Sequence, residues 1–210
     1  MRKTSILGMI ALLWGCASHS DPHDHNHDNH HHSVPDTALP ETARVDGGPD
    51  AADANETSLT PLVNMYAFES VALNSDPWGP ATDPAVLCTP DDWKSETTPD
   101  GDWFDVNTAF CNYMTVTQTL LAPISTGESM LIQVYFSSIE EGEGPYTVAA
   151  AIGEPPVVIW ETTVEVPAED TVLSGTWVAT RDVAMGEPAY YHVSNHGINN
   201  WSLINWARVD

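Results

Sequence analysis

The sequence is poor in positive charge. Its 210 residues include six Lys and Arg against 30 Asp and Glu, giving a formal net charge of −24 with neutral histidines. From Leu59 onward the cations are Lys94, Arg181 and Arg208. A field of this sign repels phosphate backbones, so nucleic acid is not an expected partner, whereas metal cations are attracted. A role limited to keeping an exported protein soluble explains the acidity equally well.

The sequence also lacks an apolar run long enough to span a bilayer, which takes about 20 residues. The run Ile6–Trp14 has nine residues and follows Arg2 and Lys3. A short apolar run behind a basic start is typical of a secretory signal peptide, here residues 1–15.

The end of this signal carries a more specific pattern. Leu13-Trp14-Gly15-Cys16 resembles the bacterial lipobox, with Trp14 where a small or β-branched residue is usual. The resemblance implies cleavage before Cys16 and acylation of its sulfur with diacylglycerol, usually with a further acyl chain on the amine, giving stable membrane anchoring. Ala17 in the next position favours the outer membrane of the cell envelope. An ordinary secretory signal is the alternative.

Cysteine is scarce, with three in the chain. If Cys16 carries the lipid, Cys88 and Cys111 remain as a pair in an oxidising compartment, which predicts a disulfide bond. A metal site built on their thiolates is the alternative, although neither cysteine belongs to a Cys-x-x-Cys pair.

Large apolar residues are rare between Cys16 and Ser58, where they are Val34, Leu39 and Val45. Such a segment cannot bury enough apolar surface to offset chain entropy. We therefore predict that residues 16–58 form a disordered tether between the lipid and a folded domain at residues 59–210.

Histidine is concentrated in one part of this tether. The seven residues are His19, His23, His25, His27, His30, His31 and His32. Imidazoles interleaved with Asp21, Asp24 and Asp28 suit Zn²⁺, Ni²⁺ or Cu²⁺, so the tether is predicted to bind transition metal ions. The tract is similar in composition to His-rich segments of bacterial zinc and nickel uptake and storage proteins. A polar spacer without a metal role is the alternative.

Residues 59–210 lack a sustained 3.6-residue period and alternate apolar with polar residues between Gly, Pro, Asp and Asn turns. Strands are predicted at 62–73, 103–106, 110–121, 129–138, 145–152, 156–166, 171–181, 188–194 and 201–209. Many short strands with regular turns predict an all-β domain, which we expect to be a jelly-roll-like β-sandwich.

Three segments carry a resemblance to jelly-roll carbohydrate-binding modules. Trp103-Phe104-Asp105-Val106 and the strand entry Pro123-Ile124-Ser125-Thr126-Gly127-Glu128 are similar to their front half. Residues 201–209, which follow a Gly-Ile-Asn-Asn turn, are similar to their last strand. The resemblance covers most of residues 60–210 and implies a sandwich that binds glycans.

The densest group of candidate ligand-binding residues is His192, His196, Asn199 and Trp201. One interpretation is a sugar site, because aromatic rings stack on pyranose faces while Asn and His bond to hydroxyls. Four tryptophans near predicted loops could contribute to it: Trp78, Trp93, Trp103 and Trp201. The alternatives are a metal site on His192 and His196, and a structural cluster in which the aromatic rings fill the core.

A second group is acidic and lies inside the Cys88–Cys111 loop. Its members are Asp91, Asp92, Asp100, Asp102 and Asp105. Carboxylates on a closed loop can hold Ca²⁺, although the spacing is not that of an EF-hand, and a solvated acidic loop is the alternative.

The sequence has no Gly-x-Ser-x-Gly, His-Glu-x-x-His or phosphate-binding Gly-rich motif. We therefore expect a non-enzymatic, membrane-anchored binding protein whose His-rich tether binds divalent transition metal ions. The alternative is a carbohydrate-binding surface module with an incidental His tract.

Overall fold

The computed structural model describes residues 57–79, 87–142, 144–195 and 197–210, without the side chain of Leu73. The strands in these ranges are β1 Leu59–Pro61, β2 Glu69–Ser70, β3 Trp93–Thr98, β4 Gly101–Asn107, β5 Tyr113–Thr119, β6 Ser129–Phe136, β7 Tyr146–Ile152, β8 Val157–Val164, β9 Thr171–Val178, β10 Pro188–Ser194 and β11 Asn200–Val209. Short 3-10 helices occupy Leu73–Ser75 and Pro90–Asp92. Within the described ranges, no helix has the length and apolar character needed to cross a bilayer.

The strands form two sheets that pack face to face. Sheet A has the order β3-β4-β11-β6-β9, with β1 also paired to β11, and sheet B has the order β2-β5-β10-β7-β8. Four strands of each sheet have the orders β4-β11-β6-β9 and β5-β10-β7-β8, which is the strand order of the jelly roll. Along the chain from β4 to β11, each strand lies in the other sheet from the one before it, except β8, which pairs with β7 in sheet B. The predicted jelly-roll-like β-sandwich is therefore confirmed.

The core lies between the sheets because each central strand turns every second side chain inward. In β6, Met130, Ile132, Val134 and Phe136 are buried, while the intervening side chains are half-buried on the outer face. A bulge at Ile204 shifts the register of β11 against β6 between Leu203 and Asn205. The bulge allows both Trp201 and Trp206 to be fully buried.

Two strand predictions fail at the start of the domain. The predicted strand 62–73 is wrong, because only Glu69–Ser70 pairs with β5, while Leu62 and Val63 fill the core from a loop. Neither β1 nor β3 lies within a predicted strand. The β3 sequence, Trp-Lys-Ser-Glu-Thr-Thr, has one large apolar residue because β3 is an edge strand.

The predicted disulfide is confirmed. Cys88 and Cys111 are joined by an S–S bond of 2.07 Å. The bond ties the chain before β3 to the loop between β4 and β5.

Candidate functional site

An open cleft of about 550 Å³ lies on the outer face of sheet A. Its centre is formed by Trp103 and Asp105 of β4, Ser202 of β11 and Tyr135 of β6. The register places Ser202 opposite Asp105 on one side and opposite Tyr135 on the other, so these three side chains form one row across the sheet. We call this feature the cleft.

Two aromatic rings flank the centre of the cleft. The ring centroids of Trp103 and Tyr135 lie 6.3 Å apart, and the ring planes are tilted by 40°. Both side chains are half-buried. The rings are too close and too tilted to enclose a planar ligand between them, but together they offer an adjacent pair of apolar faces beside polar groups.

The floor between the rings is polar and small. Ser202 is 4% exposed, so its small side chain is almost covered by its neighbours. One carboxylate oxygen of Asp105, Oδ1, is buried and meets no hydrogen-bond donor among the described residues. A buried acceptor without a donor is unfavourable, so a ligand that supplies an N–H or O–H group there would be stabilised.

The rim at β3 is charged. Lys94 Nζ donates to Glu96 Oε2 at 2.7 Å, and the Lys94 side chain remains 67% exposed. This hydrogen bond lowers the pKa of Glu96 and raises that of Lys94. Burial raises the pKa of Asp105, and the neighbouring Glu96 carboxylate adds to the rise. The rim is therefore acidic, and its cation, Lys94, is already paired with Glu96.

Further acidic and amide groups lie at the other parts of the cleft. Asp91 and Asp92 belong to the short 3-10 helix before β3, whose Asp92 carboxylate accepts hydrogen bonds from Thr89 N and Thr89 Oγ1. Asn107 and Asn200 face each other across β4 and β11. These groups add hydrogen-bonding partners to the lining of the cleft.

The sequence-predicted sugar site at the β10–β11 loop is not an open surface. Trp201 is fully buried and its ring packs 5.3 Å from that of Phe136. Asn199 is 4% exposed, and its Oδ1 accepts a hydrogen bond from Ser137. Both side chains are enclosed by the fold, which agrees with the alternative in which the aromatic rings of this cluster fill the core.

His192 is also enclosed, by a strap formed by residues 71–79. The Trp78 ring stacks on the His192 ring with centroids 4.7 Å apart and 15° between planes. His192 Nδ1 lies 2.9 Å from Thr115 Oγ1. Burial lowers the pKa of His192 to about 4. His196, its predicted partner, lies outside the described residues, as do Cys16 and the histidines of the tether.

The acidic group inside the disulfide loop is dispersed. Asp91, Asp92 and Asp105 line the cleft, whereas Asp102 accepts a hydrogen bond from Thr97 at 2.7 Å and Asp100 lies in the turn between β3 and β4. Across the described ranges, no three His, Cys, Asp or Glu side chains converge in a way that could hold a metal ion.

Sequence reasoning selected Trp103 but missed Tyr135. The sequence of residues 130–136 predicts a core strand, and its side chains were therefore expected to be buried rather than to bind a ligand. The available signal was the alternation within that strand, since Gln133 and Tyr135 occupy the positions that point away from Met130, Ile132, Val134 and Phe136.

No protein-family model matches the sequence, and no curated protein sequence matches it. Among solved structures, the C-terminal family 6 carbohydrate-binding module of LamC, a marine laminarinase from Zobellia galactanivorans, is 18% identical, over 56% of this chain and 87% of that chain, with a TM-score of 0.35. The module TmCBM27, described for specific mannan recognition, is 10% identical over 73% and 98%, with a TM-score of 0.45. A module of Cellvibrio mixtus lichenase 5A, solved with cellotriose, is 20% identical over 57% and 86%, with a TM-score of 0.31. The domain is an all-β sandwich that resembles carbohydrate-binding modules.

Proposed function

We propose that the folded domain binds a glycan chain in the cleft on sheet A, without chemical conversion of the glycan. The observation that carries this proposal is the pairing of Trp103 and Tyr135 above a polar floor, with ring centroids 6.3 Å apart. Aromatic faces pack against the C–H surface of a pyranose, while side-chain oxygens and nitrogens at the ring edge bond to its hydroxyls.

The dimensions of the cleft support the same ligand class. Its volume of about 550 Å³ falls within the range of about 300–1,000 Å³ typical of small-ligand sites. The cleft is open and its floor lies on the outer face of sheet A, so a ligand in it need not be enclosed on all sides. A chain of sugars meets these conditions better than a compact cofactor, which is usually enclosed.

A glycan array probed with the chain from Ala17 onward tests the proposal. Trp103→Ala and Tyr135→Ala are expected to weaken binding at least tenfold each, because each removes one stacking face. Phe110→Ala is the matched control, since Phe110 is 82% exposed and lies outside the cleft. Binding that survives both cleft substitutions, or no binding to any glycan, would overturn the proposal.

We also propose that the tether binds divalent transition metal ions. The composition of residues 19–32 supports this, with seven histidines and three aspartates in 14 residues. Calorimetric titration of Zn²⁺ into the chain from Ala17 is expected to give binding that disappears when the seven histidines are replaced by Gln. Equal binding by both proteins would remove the tether as the metal site.

The lipid anchor remains a proposal of the same kind. It is supported by the four residues Leu13-Trp14-Gly15-Cys16. Membrane fractionation of cells expressing Cys16→Ser is expected to release the protein from the envelope membranes. Retention equal to that of the original chain would argue against lipidation at this cysteine.

A further inference from the structure

We infer that the cleft selects glycans that carry protonated amino groups, such as glucosamine polymers, over neutral glycans, and excludes uronic-acid or sulfated glycans. This inference rests on the proposed glycan function and adds the chemical class of the ligand.

The cleft is more acidic than its sugar-binding role requires. Four carboxylates line it, from Asp91, Asp92, Glu96 and Asp105, against a single ammonium group, from Lys94. Neutral sugars need hydrogen-bonding partners but gain nothing from net charge. A ligand with positive charges gains from this field, and one with carboxylate or sulfate groups is repelled.

Lys94 shows that an ammonium group fits at this rim. Its Nζ lies 2.7 Å from Glu96 Oε2, yet its side chain is 67% exposed. A long exposed lysine exchanges its partners readily because the pair contributes little net stability. An amino group on a bound sugar can therefore take the place of Nζ at Glu96 while Lys94 swings into solvent.

Asp105 supplies the second contact. It lies beside Ser202 on the floor, and its Oδ1 lacks a donor within the described structure. Lys94 is opposite Asp105 in the register of β3 and β4, but its hydrogen bond goes to Glu96. A ligand ammonium between Glu96 and Asp105 would serve both carboxylates.

Three oligosaccharides of equal length separate the possibilities: a glucosamine hexamer, its N-acetylated counterpart and a uronic-acid hexamer. Acetylation removes the charge and keeps the sugar backbone. With the chain from Ala17 at pH 6 and low salt, the glucosamine hexamer is expected to bind about tenfold more tightly than the acetylated hexamer, with no measurable binding of the uronate. Raising the salt concentration is expected to narrow this gap, because salt screens charge but not stacking.

Two variants test the residues. Asp105→Asn and Glu96→Gln are each expected to reduce the ratio of the affinity for the glucosamine hexamer to that for the acetylated hexamer about fivefold. Glu154→Gln is the matched control, because it removes one negative charge from the exposed turn between β7 and β8 on the other sheet. A general effect of net charge would lower the preference equally in all three variants and overturn the inference.

The failure of this inference is distinguishable from the failure of the proposed function. If the acetylated or uronate hexamer binds as tightly as glucosamine, and Trp103→Ala abolishes the binding, the cleft binds glycans but has no charge preference. If binding of the glucosamine hexamer persists in Trp103→Ala, the attraction is a general one between charged polymers, and both proposals are overturned.

Discussion

The indole of Trp78 lies against the imidazole of His192, with ring centroids 4.7 Å apart and ring planes 15° from parallel. The contact fixes the strap to the outer face of sheet B, where Trp78 Nε1 also donates to Glu161 Oε2 at 3.2 Å. His192 is 3% exposed as a result. The two outer faces of the sandwich therefore differ, because the strap covers part of sheet B while the cleft on sheet A is open.

The burial of His192 predicts a loss of stability in acid. Folding lowers its pKa from 6.5 to about 4, so the unfolded chain binds more protons than the folded chain between these values. The free energy of unfolding therefore increases as pH rises through this window. Above the window, the contribution of His192 is complete and amounts to about 3 kcal/mol. Urea unfolding of the original chain and of His192→Gln at pH 4, 5, 6 and 7 measures the effect.

In that comparison the carboxylates titrate in both proteins, so the difference between them isolates His192. The difference in stability between the original chain and His192→Gln is expected to shift by about 3 kcal/mol between pH 7 and pH 4. A constant difference over this range would show that the pKa of His192 does not change on folding.

Asp76 is predicted to hold the strap in place. Its Oδ2 accepts hydrogen bonds from Tyr113 Oη at 2.7 Å and Thr115 Oγ1 at 2.8 Å, and its Oδ1 accepts one from Trp78 N at 2.9 Å. Asp76→Ala removes all three bonds and leaves two hydroxyls without this acceptor, so a loss of about 2–4 kcal/mol is expected. Urea unfolding measures it, with Asp100→Ala in an exposed turn as control. Equal stability of the two variants would contradict the role of Asp76.

Two tryptophan substitutions should have opposite consequences for folding and binding. Trp201→Ala opens a cavity in the core, and a loss of about 3–5 kcal/mol is expected. Trp103 is half-buried on the outer face, so Trp103→Ala should change stability by about 1 kcal/mol or less while removing glycan binding. Thermal unfolding and glycan titration on both variants check this. A stable Trp201→Ala protein that has lost binding would restore Trp201 as a site residue.

The disulfide is predicted to stabilise the domain through the loop that it closes. Cys88 and Cys111 are separated by 23 positions, and loop-closure entropy gives about 3 kcal/mol for a loop of this length. The double substitution Cys88→Ser, Cys111→Ser should lower the free energy of unfolding by this amount. Adding a reducing agent should lower the free energy of unfolding of the original chain and leave that of the double variant unchanged. A reductant effect on both would point to a different cause.

Gly175 is predicted to be intolerant of a side chain. A Cβ at this position would overlap the indole ring of Trp160, which packs across from β8 onto β9. Gly175→Ala should therefore reduce stability by about 1–3 kcal/mol, and Ser174→Ala on the outer face should not. Trp160→Leu removes the indole ring from this space, so Gly175→Ala should cause a smaller loss of stability in a Trp160→Leu protein. An unchanged cost would mean that backbone effects, not the ring, set the penalty.

The strands from β4 to β11 could be predicted because apolar and polar residues alternate along them, which indicates that one face of each strand is buried. That signal fails at an edge strand such as β3, where Lys94 and Glu96 point to solvent and Trp93 is the one large apolar residue. It fails in the opposite sense over residues 62–73, where Leu62 and Val63 are buried without strand pairing. Apolar character predicts burial, and burial predicts a strand only when the partner strands are known.

The cleft could be predicted only in part. Trp103 was a candidate because it is a tryptophan near a predicted loop. Tyr135 could not be assigned to the same site from the sequence, because the two residues meet only where β11 pairs with β4 on one side and with β6 on the other. His192 and Trp201 were selected for residue type, but their burial depends on the strap and on the packing between sheets. Neither contact is local in sequence, so composition and spacing near residues 190–201 could not reveal it.

The pairing of β1 with β11 has a mechanical consequence. Leu59 lies opposite Val209 at one end of β11, while the cleft is centred on Ser202 near the other end. Ser202 and Val209 are seven positions apart, which corresponds to about 20 Å along the strand. If the tether holds the protein to a membrane and a polymer in the cleft is pulled away, the force acts along β11 rather than across it. The hydrogen bonds between β1 and β11 then share the load together instead of opening one after another.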